Sequence, residues 1–175
     1  MKNILKENDE VLYSSKDFVA INKSDLQELK NLSLLNKRKR IRLCAHMKPS
    51  EKLHDMIIIH AKDCYVRPHK HASRAESITI LEGEVDLVLF EEDGSISKVI
   101  RMGELRTNKT FFYRLSSSIY HMFIIRSEFL VFHEATEGPF NKEDTIFPKW
   151  SPPEESNILV DFIDSIESNI HNNFA

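Results

Sequence analysis

The residues best suited to chemistry stand together in Arg67-Pro68-His69-Lys70-His71-Ala72-Ser73-Arg74-Ala75-Glu76. Side chains at i and i+2 of a strand share a face and lie about 6–7 Å apart along it, so His69 and His71 can aim their imidazoles at one point. Glu76 follows five residues later, the wrong parity for one continuous strand. Ala72 to Ala75 must then turn and return Glu76 on a neighbouring strand beside the two histidines. A fourth ligand has to come from a distant strand, and His121 within the apolar run Ile119–Ile125 is the best placed. Three imidazoles and one carboxylate suit a single divalent metal ion, Zn, Fe, Mn, Ni or Co, and leave room for water or substrate.

Arg67 shares parity with Tyr65, His69 and His71 and can point into the same cavity. An unpaired buried charge is costly, so an inward arginine needs an anionic partner. That partner is either a substrate carboxylate or phosphate, or one of Glu82, Glu84 and Asp86. Arg42 and His46, upstream, can line the same cavity and bind substrate with it. His133 ends an apolar strand and reads as a supporting or core histidine. A general base, if the site is catalytic, would be His46, His133, Tyr65 or Tyr120, and the spacing does not choose among them.

These residues need strands to carry them, and the sequence supplies strand signals through its middle. Arg40 to Ala45 alternates with period two, which predicts a strand with one face buried. Apolar or β-branched runs follow at Met56–His60, Glu76–Leu81, Val85–Phe90, Ile96–Ile100, Phe111–Leu115, Ile119–Ile125 and Glu128–His133. Glu92-Asp93-Gly94-Ser95 marks a hairpin between two of them. Seven or eight short strands with turns about every ten residues predict a mainly β jelly-roll sandwich. Ser24-Asp25-Leu26-Gln27 reads as a capping box opening a short N-terminal helix, with Leu26, Leu29, Leu32 and Leu35 as its apolar stripe. Ile158, Leu159, Phe162, Ile163, Ile166 and Ile170 form one face of a C-terminal amphipathic helix. Ile78, Ile80, Phe123 and Ile125 read as sandwich core, while Met122 and Ile124 face the other way. A strand apolar on both faces is covered on both, by a helix or by a second subunit, and a homodimer is the expectation.

Residues 1–175 contain no linker signal, so a single domain is expected, with its sandwich core at about 40–135 and helical or irregular flanks. Apolar residues make up 41% and charged residues 29%, and the net charge is −3. That balance gives no reason to expect nucleic acid as a partner. The basic run Lys37-Arg38-Lys39-Arg40 reads as a solvated loop. No run reaches a membrane span or the apolar core of a secretory signal, so no membrane association is expected. Cys44 and Cys64 lack disulfide or zinc-knuckle spacing and read as small buried hydrophobes of a cytoplasmic protein.

His69-x-His71-x4-Glu76-x6-Gly83 is similar to the first motif of the cupins, and Gly103 followed by His121 resembles the second. Asp63, Ser116, Ser118 and Ile125 stand where that pattern usually has glycine, proline, glycine and asparagine. A narrower resemblance, to the WbuC-type cupin metalloproteins, covers most of the chain. It rests on Tyr65-Val66-Arg67-Pro68-His69-Lys70-His71, on Thr136-Glu137-Gly138-Pro139-Phe140-Asn141-Lys142-Glu143-Asp144-Thr145, and on Trp150 with Pro152-Pro153-Glu154-Glu155. Arg42 and His46 fit its upstream arginine and histidine. The resemblance implies a cupin double-stranded β-helix and a bound divalent metal (Zn, Fe, Ni or Mn). It also implies a place in surface-polysaccharide metabolism. The expected activity is a metal-dependent isomerase or epimerase acting on a small sugar-like or anionic molecule such as a nucleotide-sugar. An Fe-dependent dioxygenase and a non-catalytic sugar or anion sensor are the alternatives.

Overall fold

Period-two patterning gives way to two helices only at the flanks of the chain. The computed structural model describes residues 3–174. Its elements are β1 (Ile4–Lys6), β2 (Val11–Ser14), α1 (Lys23–Leu35), β3 (Arg40–Cys44), β4 (Leu53–Ala61), β5 (Lys70–His71), β6 (Glu76–Glu82), β7 (Glu84–Phe90), β8 (Ile96–Gly103), β9 (Phe112–Leu115), β10 (Tyr120–Ile125), β11 (Phe129–Glu137), β12 (Thr145–Ile146) and α2 (Leu159–Asn173). One layer is a seven-stranded sheet in the order β1-β2-β3-β4-β11-β6-β9. The facing layer is β10-β7-β8, and a bridge between His69 and His121 adds the β5-β12 pair to it. A second bridge, Met102 to Thr110, ties β8 to the approach of β9 and closes one side of the sandwich.

Alternation sorts each strand between two environments. Cys44, Met56, Ile58, Ile78, Ile80, Val85, Leu87, Leu130 and Phe132 fill the space between the layers. Ile41, Leu43, Ile59 and Val131 face outward and are sealed by Leu29 of α1. β3 therefore has the one buried apolar face expected of it. Its apolar side packs on the helix, and its polar side, with Arg42 beside Cys44, faces the interior.

The α1 cap also differs from the sequence reading. Asn22, not Ser24, is the N-cap: its side chain accepts from the Ser24 and Asp25 amides, while the Asp25 carboxylate accepts from Asn22 N. Asn22 and Asp25 close the same kind of box two residues earlier. Only Leu29 of the apolar stripe is fully buried, and Leu35 is 82% exposed.

On the other side of the molecule α2 covers β10. Tyr120, Met122 and Ile124 pack against Ile166 and Ile170 of the helix, with Phe162 and Ile163 beside them. The cover that the sequence left open between a helix and a second subunit is thus the chain's own C-terminal helix. The β7–β8 hairpin turns at Gly94, whose φ is +92° and whose missing Cβ would stand 2.9 Å from the Trp150 indole. Only glycine meets both conditions without strain. Asp63, at the cupin pattern's glycine position, adopts φ +67°, a left-handed conformation that Asp tolerates better than most residues.

The basic run is not a free loop. Arg38 pairs with Glu10 and Glu154, Arg40 donates to Glu10 at 2.9 Å, and Lys37 reaches Glu155. Next to this network His60 is buried with no partner for its Nδ1. Burial, and then the Arg40 and Arg38 charges, push its pKa down to about 3. An unfolded histidine takes up a proton near 6.5, whereas folded His60 refuses one until far lower pH. Stability is therefore expected to fall as pH drops below about 6.5, by roughly 1.4 kcal/mol per pH unit for each such group. Urea melts at successive pH values measure this slope. His60→Leu should make it shallower, and an unchanged slope would remove His60 as its source.

Candidate metal centre

The turn expected between His71 and Glu76 forms as foreseen in outline, and β11 and the following segment hold it in place. Thr136 Oγ1 donates to Ala75 O at 2.8 Å, and Ala75 N donates to the Glu137 carboxylate at 2.9 Å. Glu76 consequently opens β6 with its side chain inward, in the same alternation as Ile78 and Ile80. His121 lies on the inner face of β10, opposite the face that α2 covers. Backbone bonds in both directions, His69 N to His121 O at 3.1 Å and His121 N to His69 O at 2.9 Å, lock β5 against β10.

These constraints bring together four residues from three strands and the approach to β5. One imidazole nitrogen from each of His69, His71 and His121 lies within 4.8 Å of the other two. Glu76, 3% exposed, places Oε2 3.2 Å from His71 Nε2 and Oε1 3.2 Å from His121 Nε2. Tyr113 donates its hydroxyl to Glu76 Oε1 at 2.8 Å. His69 Nδ1 and His121 Nδ1 contact the carbonyls of Arg67 and Ile119, at 2.9 and 3.0 Å. A carbonyl can only accept, so each Nδ1 carries a proton and each Nε2 is turned to the cluster. This is how metal-binding imidazoles are oriented. Bonds of about 2.0–2.2 Å to one ion put neighbouring donor atoms roughly 3.0–3.5 Å apart, and the Glu76–imidazole separations fall in that range. The residues present therefore fit a divalent ion.

Electrostatics follow from burial and from the carboxylate. Burial, and next the His121 imidazole, push the pKa of His69 down to about 3. Burial would raise the Glu76 carboxyl, but the His121 and His71 hydrogen bonds outweigh it and hold the group well below the usual range. Burial opposes charge on His121, yet Glu76 overcomes it and raises that pKa. Burial and then Glu76 push the Tyr113 phenol well up. Burial also raises the Cys44 and Cys64 thiols, to about 11 and about 12, which leaves both inert at neutral pH.

The other residues singled out in the sequence divide. Arg67 meets none of Glu82, Glu84 and Asp86. Its Nε donates to Ser151 Oγ and its Nη2 to Pro148 O, both at 2.9 Å, and it lies over the Phe147 ring. It thereby fastens a strap, residues 138–152, that crosses beside the histidines. Phe147 approaches His69 within that strap, and Trp150 Nε1 donates to Glu92 O. His46 is buried, stacks on His54 at 4.0 Å and meets Tyr13 edge-on. Arg42 shares the inner face with Cys44.

Of the candidate bases, Tyr65 and Tyr120 belong to the α2-side cluster, and His133 faces outward to Asp55 at 3.1 Å. Only His46 remains near the interior. Two interior residues were missed, Tyr113 and Glu134. Both sit on strand faces whose neighbours are apolar, so only parity could have flagged them. Burial and then the nearby Glu76 charge raise Glu134 to about 7, with Arg42, Arg74 and His121 pulling the other way.

Residues 21–102, less than half of the chain, match a family model described as "Domain of unknown function (DUF6016)". The matched stretch takes in His69, His71 and Glu76. No curated protein matches the chain. Among solved structures, a protein from Shewanella oneidensis superposes with a TM-score of 0.52 over 73% of this chain and 85% of that one, at 7% identity. KdgF from Halomonas sp. gives 0.46 over 59% and 82%, at 10% identity. A cupin domain from Schizosaccharomyces pombe gives 0.44 over 57% and 64%, at 9% identity. Identities this low speak to fold and not to activity. With its two facing sheets arranged in this way, the chain has a cupin-type fold.

Proposed function

We propose that this protein is a metal-dependent enzyme of isomerase or epimerase type. One divalent ion would be held by His69, His71, Glu76 and His121, and the substrate would be a small polar metabolite such as a sugar or nucleotide-sugar. The convergence of three imidazoles, two of them on the Glu76 carboxylate, with two Nδ1 atoms anchored to backbone carbonyls, carries the reading. When bound, the ion would polarise a substrate carbonyl or hydroxyl. Tyr113 would keep Glu76 oriented through its hydroxyl. Glu134, a carboxyl near neutrality on the same inner face, is suited to accept and return a proton. The WbuC-type resemblance supports a sugar substrate and a role in surface-polysaccharide metabolism.

Metal content tests this directly. Protein purified without chelator or a metal-affinity tag should contain near one equivalent of metal by mass spectrometry, and His71→Ala should lose nearly all of it. A metal-loaded sample that leaves a broad panel of nucleotide-sugars unchanged would end the isomerase reading. Absence of metal in wild type, even after anaerobic reloading, would end the metal reading itself.

A further inference from the structure

Two half-buried charged groups on the inner face of the seven-stranded sheet have no hydrogen-bond or ion-pair partner among the described residues. The Arg42 guanidinium makes no hydrogen bond or ion pair among the described residues, and its Nε is cut off from solvent. Other arginines of the chain are paired: Arg126 with Asp86 and Glu167, Arg40 with Glu10. Glu134 likewise makes neither a hydrogen bond nor an ion pair among the described residues.

The register places both beside the histidine cluster. Ile78, Glu134, Met56 and Cys44 form one row across β6, β11, β4 and β3. Glu76 and Thr136 lie one same-face step, about 7 Å, to one side of that row. Arg42, Ile58 and Phe132 lie one step to the other. Glu134 is thus set between Glu76 and Arg42. The groups that face it are Glu76 and Tyr113 from β6 and β9, His121 from β10, Arg42 and Cys44 from β3, and Arg74 from the loop before β6.

Arg42 is half-buried, its Nε is cut off from solvent without an acceptor, and buried polar atoms are normally satisfied. Arg42 has the Glu134 carboxylate on the same sheet face yet is held more than 4 Å from it. Its donors are thereby kept available for an oxyanion.

We infer that the inner sheet face beside the three histidines carries a subsite in which Arg42 receives a carboxylate or phosphate group, making the substrate an acidic metabolite such as a sugar acid or sugar phosphate. This names the substrate class of the metal centre proposed above and rests on that reading for its neighbour. Glu134 tunes the subsite. Ionised, it repels an incoming anion, so binding weakens as pH rises through about 7.

Calorimetric titration with sulfate and with acetate tests the subsite, and metal content is measured on every sample. Sulfate keeps its charge across the range, and the tighter of the two anions identifies phosphate-like or carboxylate-like recognition. Arg42→Gln should weaken that anion roughly 10–100-fold, the loss of a charged hydrogen bond, with metal content unchanged. Glu134→Gln should tighten it several-fold and flatten the pH dependence between about pH 6 and about pH 8. Failure of wild type to bind either anion overturns the inference, as does binding that Arg42→Gln leaves intact. If Arg42→Gln does not fold, an unchanged pH profile in Glu134→Gln overturns it instead. Wild type without metal that still binds the anion through Arg42 would fail the metal reading and leave the subsite standing.

Discussion

Metal-free protein given zinc or nickel in thousandfold excess over its dissociation constant is expected to melt roughly 8–16 °C higher. Such an excess stabilises the folded state by about 4 kcal/mol, and a chain of this length gains about 2–4 °C per kcal/mol. Most of this gain should vanish in His121→Ala, whose imidazole is both a proposed ligand and the partner of Glu76. The shift should also depend on pH in a defined direction. Without metal, Glu76 raises the pKa of His121 and so favours its protonated form. An ion on Nε2 must displace that proton, so binding releases protons and the melting shift grows as pH rises from about 5 to about 8. Calorimetry in two buffers of different ionisation enthalpy counts the protons released. A shift equal at both ends of that range, or retained in His121→Ala, would mean that the ion binds elsewhere.

Ile166→Asp should be the most damaging single substitution outside the centre. Ile166 is 5% exposed and lies in the cluster that joins α2 to Tyr120, Met122 and Ile124. Truncating such a side chain alone costs about 2–5 kcal/mol. Burying a carboxylate without a partner adds to that, so the total should reach about 4 kcal/mol or more. The damage should not stop at the helix. β10 carries His121 on one face and the α2 contact on the other, so loosening the outer face also frees the ligand. Urea unfolding with parallel metal analysis checks both. Normal stability in Ile166→Asp would show that α2 does not seal this face in solution.

Strand positions between Met56 and His133 were legible in the sequence because β-branched runs and the Asp93-Gly94 turn are local signals. Both helices were also legible from their apolar spacing. β1 and β2 were not, since Ile4–Lys6 and Val11–Ser14 are short and owe their structure to pairing with each other and with β3. Which side of β3 faces the interior was not legible for a related reason. A strand sealed on one side by a helix and on the other by a sandwich interior has no solvent face, and period two cannot say which side holds the site. His69, His71, Glu76 and His121 could be proposed as a group from spacing, because a same-face pair and a turn restrict where imidazoles can point. Arg67 could not be assigned that way, since its partners Pro148 and Ser151 lie some eighty residues later in the chain. Glu134 and Tyr113 escaped notice because nothing local distinguishes an inward carboxylate or phenol from an outward one.

The mutual backbone bonds between His69 and His121 bear on when metal can arrive. They join distant segments within one layer, while Glu76 comes from the facing seven-stranded sheet, so the four residues meet only once both layers are in place. Loading is therefore an event of the finished fold and not a step along the way to it. Affinity at imidazole and carboxylate ligands follows one general order of divalent ions, so supply takes a large part in deciding which ion is bound. An ion in the proposed site would then reflect the pool that the folded protein meets. The same chain produced in two hosts should be isolated with two different metals.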